Sequence, residues 1–244
     1  MNISQFIDYA VHKDSVEKED IIALCNNAEQ NNFYSVTIPS SFVSFAKQLL
    51  KGTSVKICAI IGSPLGNDST NSKISEAKKA IQEGAFEIDM TINLSALKKK
   101  NYIAVLRDVN DVKLAIGHTV LKACIEITQL SKNEIIKSCE ICLDTNVDYI
   151  KTSNTFVRNS ATLTAVKIIR KTVREGLKIK ASGDIKDYET AIKYLDAGAE
   201  RIGTSSIIEI KEHSRLLNNS KIYKQYLESK NKTNLTTKKE TSFI

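Results

Sequence analysis

Apolar residues in this chain come in short bursts separated by longer stretches that repeat at helical spacing. Eight bursts read as strands: FIDYAV (6–11), YSVTI (34–38), KICAIIG (56–62), FEIDMTI (86–92), KACIEI (122–127), DYIKTS (148–153), KIKASG (178–183) and RIGTSS (201–206). Between them, SVEKEDIIALCNNAEQ (15–30) carries Ile21, Ile22, Cys25 and Ala28 on a helical period, and Asp14 followed by Glu17 has the spacing of a capping box at its start. Further helices are predicted over 70–83, 102–116, 131–144, 161–175 and 187–197. Strand and helix alternating about eight times predicts an α/β fold, a (β/α)8 TIM barrel with a parallel sheet covered by helices. One barrel domain is expected over residues 1–218. Periodicity then fades into NNSKIYKQYLESKNKTNLTTKKE, so 219–244 reads as a basic, flexible C-terminal tail.

Composition changes this picture little. The 244 residues are 42% hydrophobic, ample for a core. No apolar run is long enough for a membrane helix, and the first residues lack a secretory pattern. Five irregularly spaced cysteines suit a reducing compartment, so a cytoplasmic location is expected. The CEIC stretch (139–142) stands alone, without a second pair to complete a metal site. Of the net charge of +7, the last 25 residues hold six lysines against Glu228 and Glu240. That tail has little aromatic interleaving, so a solvated tail is expected rather than a nucleic-acid partner. No GxGxxG or GxxxxGK[ST] pattern occurs, which argues against dinucleotide and P-loop sites.

In a TIM barrel the chemistry sits at the C-terminal ends of the strands. Polar residues late in the apolar bursts are therefore the candidates: Asp89, Lys151, Lys180, and Gly203 with Ser205 and Ser206. Lys151 and Lys180 end consecutive strands about 4.8 Å apart, so their ammonium groups can approach and disfavour each other's charge. A lysine made neutral in this way attacks carbonyls and forms an imine. Asp89 would shuttle protons. The competing reading is a structural ion cluster with Asp89 or Glu126. Lys178 shares a face with Lys180 but reads as reaching water from the outer start of its strand.

At these residues the chain resembles the deoxyribose-phosphate aldolase family, class I (Schiff-base) aldolases. FEIDMTINLSALKKKNY (86–102), IEITQLSKNEIIKSCEICLDTNVDYIKTSNTF (125–156) and IKASGDIKDYETAIKYLDAGAERIGTSS (179–206) look like three of its signatures in order. The resemblance implies Lys151 as the Schiff-base lysine, Lys180 as the second lysine and Asp89 as the proton-transfer acid. It implies Gly183, Gly203, Ser205 and Ser206 at the substrate phosphate. It also implies reversible cleavage of 2-deoxy-D-ribose 5-phosphate to D-glyceraldehyde 3-phosphate and acetaldehyde, with no metal and no organic cofactor. The expected partners are thus a sugar phosphate and aldehydes, with a homodimer as a common state of such barrels.

The sequence also departs from that family. Asp184 stands where a second glycine is usual, Asn154 and Thr155 replace Thr-Gly, and Asn159 and Ser160 replace a glycine pair. Asp8-Tyr9-Ala10 replaces Asp-His-Thr, and Ser63 stands for a phenylalanine. A carboxylate at 184 would repel a phosphate dianion. Two other readings stay open on these grounds: a Schiff-base aldolase for a less phosphate-dependent aldehyde, and a decayed homologue that only binds.

Overall fold

The computed structural model describes residues 2–11, 13, 15–154 and 162–206. Eight parallel strands close into one barrel in sequence order. They are β1 (Ile7–Ala10), β2 (Ser35–Pro39), β3 (Lys56–Ile61), β4 (Glu87–Thr91), β5 (Val120–Cys124), β6 (Tyr149–Lys151), β7 (Lys178–Ser182) and β8 (Arg201–Thr204). The ring closes where Asp8 of β1 pairs with Gly203 of β8. Outside it lie α1 (Lys18–Gln30), α2 (Val43–Leu49), α3 (Thr70–Glu83), α4 (Leu94–Lys98), α5 (Tyr102–Ile116), α6 (Lys132–Leu143), α7 (Leu163–Val173) and α8 (Tyr188–Asp196). Among the described residues no helix is long and apolar enough to cross a membrane. The barrel strands fall inside the expected 1–218 unit, and the expected tail, 219–244, lies outside the described residues.

Strand alternation sorts the chain between two cores. One residue from each strand, in order Ile7, Val36, Ile57, Ile88, Leu121, Ile150, Ile179 and Ile202, belongs to the apolar layer shared with the helices. Full burial of such a side chain contributes about 1.5–3 kcal/mol, which makes this layer the main source of stability. The alternate positions point into the barrel, and several of them are ionic. Asp8, Glu87, Asp89, Lys122, Lys151, Lys180 and Arg201 are all buried there. The lumen is thus filled by charge where branched apolar residues are usual.

Helix starts follow local chemistry. Ser69, Asn93, Asn101, Ser131, Thr162 and Asp187 each cap a helix through a side-chain acceptor. The first helix departs from expectation. Its capping box is formed by Glu17 and Asp20, so α1 begins at Lys18, and Asp14 lies outside the described residues. The short helices α2 and α4 were not foreseen, because neither is long enough to display a full apolar period. Strand β5 starts at Val120, two residues before its expected start, and stops at Cys124, ahead of Glu126, which turns left-handed at φ 49°. That shift brings Lys122 to mid-strand.

The cysteines of CEIC, Cys139 and Cys142, are buried free thiols of α6, and no metal-holding cluster occurs among the described residues. Lys178 is exposed at the start of β7, with its Nζ 5.5 Å from the centroid of the Tyr149 ring.

Candidate active site

Asp89 sits at the centre of the lumen charge cluster. Lys151 donates to its Oδ2 at 2.7 Å and Lys180 to the same oxygen at 2.9 Å. Lys122 reaches its Oδ1 at 3.0 Å, and the Cys58 thiol donates to that oxygen at 3.0 Å. The register explains the convergence: Asp89 pairs with Lys122, and Lys151 pairs with Lys180. The three residues singled out from the sequence therefore do meet. Glu126, the other carboxylate considered for the lysines, instead accepts from the Asn154 backbone N–H at 3.0 Å and from Thr128 Oγ1 at 2.8 Å.

Three further ionic residues complete the cluster. Asp8 is 2.8 Å from Lys180 and 2.7 Å from Arg201, and it accepts from Ser35 Oγ at 2.7 Å. Glu87 is 2.6 Å from Lys122 and 3.3 Å from Arg201. The Arg201 guanidinium stacks on Tyr34, its Cζ 3.2 Å from the ring centroid. The sequence held a signal for one of them, since Glu87 lies two residues before Asp89 on the same strand face. Asp8 and Arg201 sit early in their strands and Lys122 in mid-strand, away from the C-terminal ends that carry chemistry in such barrels.

This arrangement revises the expected electrostatics. A carboxylate stands between the two lysines, so they do not simply repel. Burial alone would raise the Asp89 carboxyl, but Lys122, Lys151 and Lys180 outweigh it and hold its pKa well below the usual carboxylate range. Asp8 behaves alike: burial opposes ionisation, while Lys180, Arg201 and Lys122 more than compensate. Burial would likewise strip Lys180 of its proton, yet Asp8 and then Asp89 raise its pKa above the lysine range. Lys122 is held protonated in the same way, chiefly by Asp89 against the cost of burial. Burial and then Asp89 push the Cys58 thiol up to about 12, which keeps it a neutral donor. Among the described residues, three carboxylates thus face Lys122, Lys151, Lys180 and Arg201, one fewer than the cations.

Above the cluster, the C-terminal strand ends form a polar mouth. Ser182 and Gly203 are register partners on β7 and β8. Gly203 lies on the inner wall, where a Cβ would come 2.5 Å from Ser182 Oγ and 3.1 Å from Lys180 Cε. Its lack of a side chain makes room for those two groups. Gly183 and Asp184 follow β7, and Ser205 and Ser206 follow β8, so these four lie at neighbouring strand ends. Asp184 adopts a left-handed φ of 52°, a conformation that favours glycine. Its carboxylate pairs with Lys186 at 2.6 Å, which offsets the negative charge at this edge. The substitutions at Thr155, Asn159 and Ser160 lie outside the described residues. On the far side, a cavity of about 310 Å³ opens at the ends of β2 and β3, lined by Ser40, Ile60, Gly62, Asp68 and Glu76 among others.

The family model for DeoC/LacD family aldolase matches residues 3–206. The deoxyribose-phosphate aldolase of Clostridioides difficile is 43% identical over 209 residues, covering 86% of this chain and 95% of that protein. The deoxyribose-phosphate aldolase of Mycoplasma capricolum is 40% identical over 210 residues, covering 86% and 95%. Among solved structures, the aldolase QR15 superposes with a TM-score of 0.80 at 36% identity, covering 84% of this chain and 92% of that one. The tetrameric deoxyribose phosphate aldolase of Aeropyrum pernix superposes with a TM-score of 0.77 at 27% identity, covering 84% and 87%.

Proposed function

The chain belongs to the DeoC/LacD aldolase family, and from that membership we infer that it is a class I deoxyribose-phosphate aldolase. It cleaves 2-deoxy-D-ribose 5-phosphate reversibly to D-glyceraldehyde 3-phosphate and acetaldehyde. The observation that carries the reading is the fully buried Lys151, 2.7 Å from a carboxylate that Lys180 also contacts.

In this reading the neutral Lys151 amine attacks the substrate aldehyde carbon and forms a carbinolamine. Lys180, kept protonated by Asp8 and Asp89, supplies the proton with which the hydroxyl leaves as water. The resulting iminium draws the electrons of the C2–C3 bond, while the C3 hydroxyl gives up its proton to the Asp89–Lys180 pair. Glyceraldehyde 3-phosphate departs and leaves an enamine on Lys151. Protonation at C2 and addition of water release acetaldehyde and restore the amine. The buried lumen strengthens each of these charge interactions because water is excluded. Gly183, Ser205 and Ser206 receive the phosphate at the β7 and β8 ends. Gly203 contributes indirectly, by admitting the Ser182 and Lys180 side chains beneath them. Lys186 counters Asp184 at this edge and so keeps it open to a dianion.

Borohydride reduction in the presence of acetaldehyde tests the proposal. Intact mass should show one reduced two-carbon adduct on the wild type and none on Lys151→Ala. Wild-type protein without an adduct would exclude Schiff-base catalysis.

A further inference from the structure

The Lys180 ammonium carries three hydrogens and no acceptor, so the direction of each N–H decides what it can protonate. Asp89 Oδ2 accepts a hydrogen bond from its Nζ at 2.9 Å, and Asp8 Oδ2 makes an ion contact with it at 2.8 Å. A third oxygen comes from β2, three strands round the ring: Thr37 Oγ1 accepts from the same nitrogen at 3.2 Å. Among the described residues Lys180 thus meets as many oxygens as it has hydrogens.

The three partners are unequal. Asp89 is shared with Lys122 and Lys151, and Asp8 with Arg201, so both carboxylates are tied into the charge cluster. The Thr37 hydroxyl has no partner but Lys180 among the described residues. It is also neutral, and a hydrogen bond to a neutral oxygen is about half as strong as one to an ionised group. Thr37 is therefore the partner that Lys180 releases first when another oxygen arrives.

Strand geometry places this contact toward the mouth. Val36 and Ile38 belong to the apolar layer shared with the helices, so Thr37 between them faces the lumen. Ser35, one inward position deeper on β2, donates to Asp8 Oδ1 at 2.7 Å. Pro39, one inward position higher, and Ile60, its register partner on β3, line the cavity of about 310 Å³ at the strand ends. Thr37 thus stands between the ionic floor and the open end, and its hydroxyl keeps one Lys180 N–H apart from the carboxylates.

We propose that Thr37 is a positioning residue: its Oγ1 holds the transferable N–H of Lys180 until the oxygen of the carbinolamine on Lys151 takes over that hydrogen bond. The proposal rests on the aldolase reading and says which Lys180 hydrogen the dehydration step uses. In that step the N–H bond breaks with its electron pair left on Lys180, and the proton passes to the carbinolamine hydroxyl. The C–O bond breaks as water leaves, and the Lys151 nitrogen lone pair forms the C=N bond. Positive charge moves from Lys180 to the iminium, and Thr37 is chemically unchanged.

Thr37→Val keeps the shape of the side chain and removes the hydroxyl, whereas Thr37→Ser keeps the hydroxyl. In cleavage of 2-deoxy-D-ribose 5-phosphate, kcat of Thr37→Val should fall about tenfold to a hundredfold with KM within about twofold, the span expected for a lost hydrogen bond to a charged group. Thr37→Ser should restore most of kcat. Under borohydride, the acetaldehyde adduct should accumulate more slowly on Thr37→Val by a similar factor, yet reach the same final yield, which a merely structural defect would not produce. If Thr37→Val fails to fold, Thr37→Ala set against Thr37→Ser carries the same comparison. Wild-type kcat in Thr37→Val, an equal loss in Thr37→Ser, or a loss carried by KM overturns the proposal. Wild-type protein that forms no adduct removes the aldolase reading itself, whereas an adduct with an unmoved kcat in Thr37→Val removes only the role of Thr37.

Discussion

Replacing Asp8 by asparagine removes one of the three carboxylates from the lumen while barely changing its volume. Asp8 contacts Lys180 at 2.8 Å and Arg201 at 2.7 Å, and all three side chains are almost wholly buried. One unit-charge pair at 2.8 Å is worth about 6 kcal/mol gross at an effective dielectric of about 20. Part of this is recovered because the neutral amide is easier to bury, so the expected net loss is about 3–5 kcal/mol, as for other broken buried pairs. For a domain of this size each kcal/mol moves Tm by about 2–4 °C, so a fall of roughly 6–20 °C follows. Urea unfolding at neutral pH gives the stability change. A loss below about 1 kcal/mol would show that the lumen is hydrated and would refute the buried-pair reasoning.

Three further outcomes follow from the same geometry. Lys186→Ala leaves Asp184 unpaired at the proposed phosphate edge, so KM for deoxyribose 5-phosphate should rise severalfold while Asp184→Gly lowers it; opposite signs would remove the phosphate from this edge. Gly66→Ala should cost more than about 2 kcal/mol by urea unfolding, because φ is 67° and the new Cβ would lie 2.0 Å from the Ile92 carbonyl oxygen; a neutral substitution would contradict that packing. Asp8 and Asp89 have folded pKa values below their unfolded ones, so their contribution is present above the ordinary carboxylate range and is lost as pH falls through it, below about pH 4. Wild-type stability should drop steeply there, and Asp8→Asn should show a shallower acid slope.

The site was partly legible. Asp89, Lys151 and Lys180 stand out because a charged residue late in an apolar burst breaks the local pattern. Lys122 escaped because the β5 boundary was set two residues late, and Arg201 because it opens its strand. Asp8 was visible only as part of an altered motif. Its partnership with Arg201 joins residues 193 apart in sequence, across the seam where β1 meets β8.

The chain by itself determined its strand–helix alternation, the count of eight units and the two lysines on neighbouring strands, because periodicity and helix capping are local properties of a few consecutive residues. Tertiary structure decided which charges meet. Closing the ring turned alternate positions of all eight strands toward one narrow lumen, set Asp89 between cations that would otherwise repel, and left, among the described residues, one more positive charge than negative. Such a balance belongs to the closed barrel, since Coulomb interactions depend on distances in space, which no stretch of sequence contains.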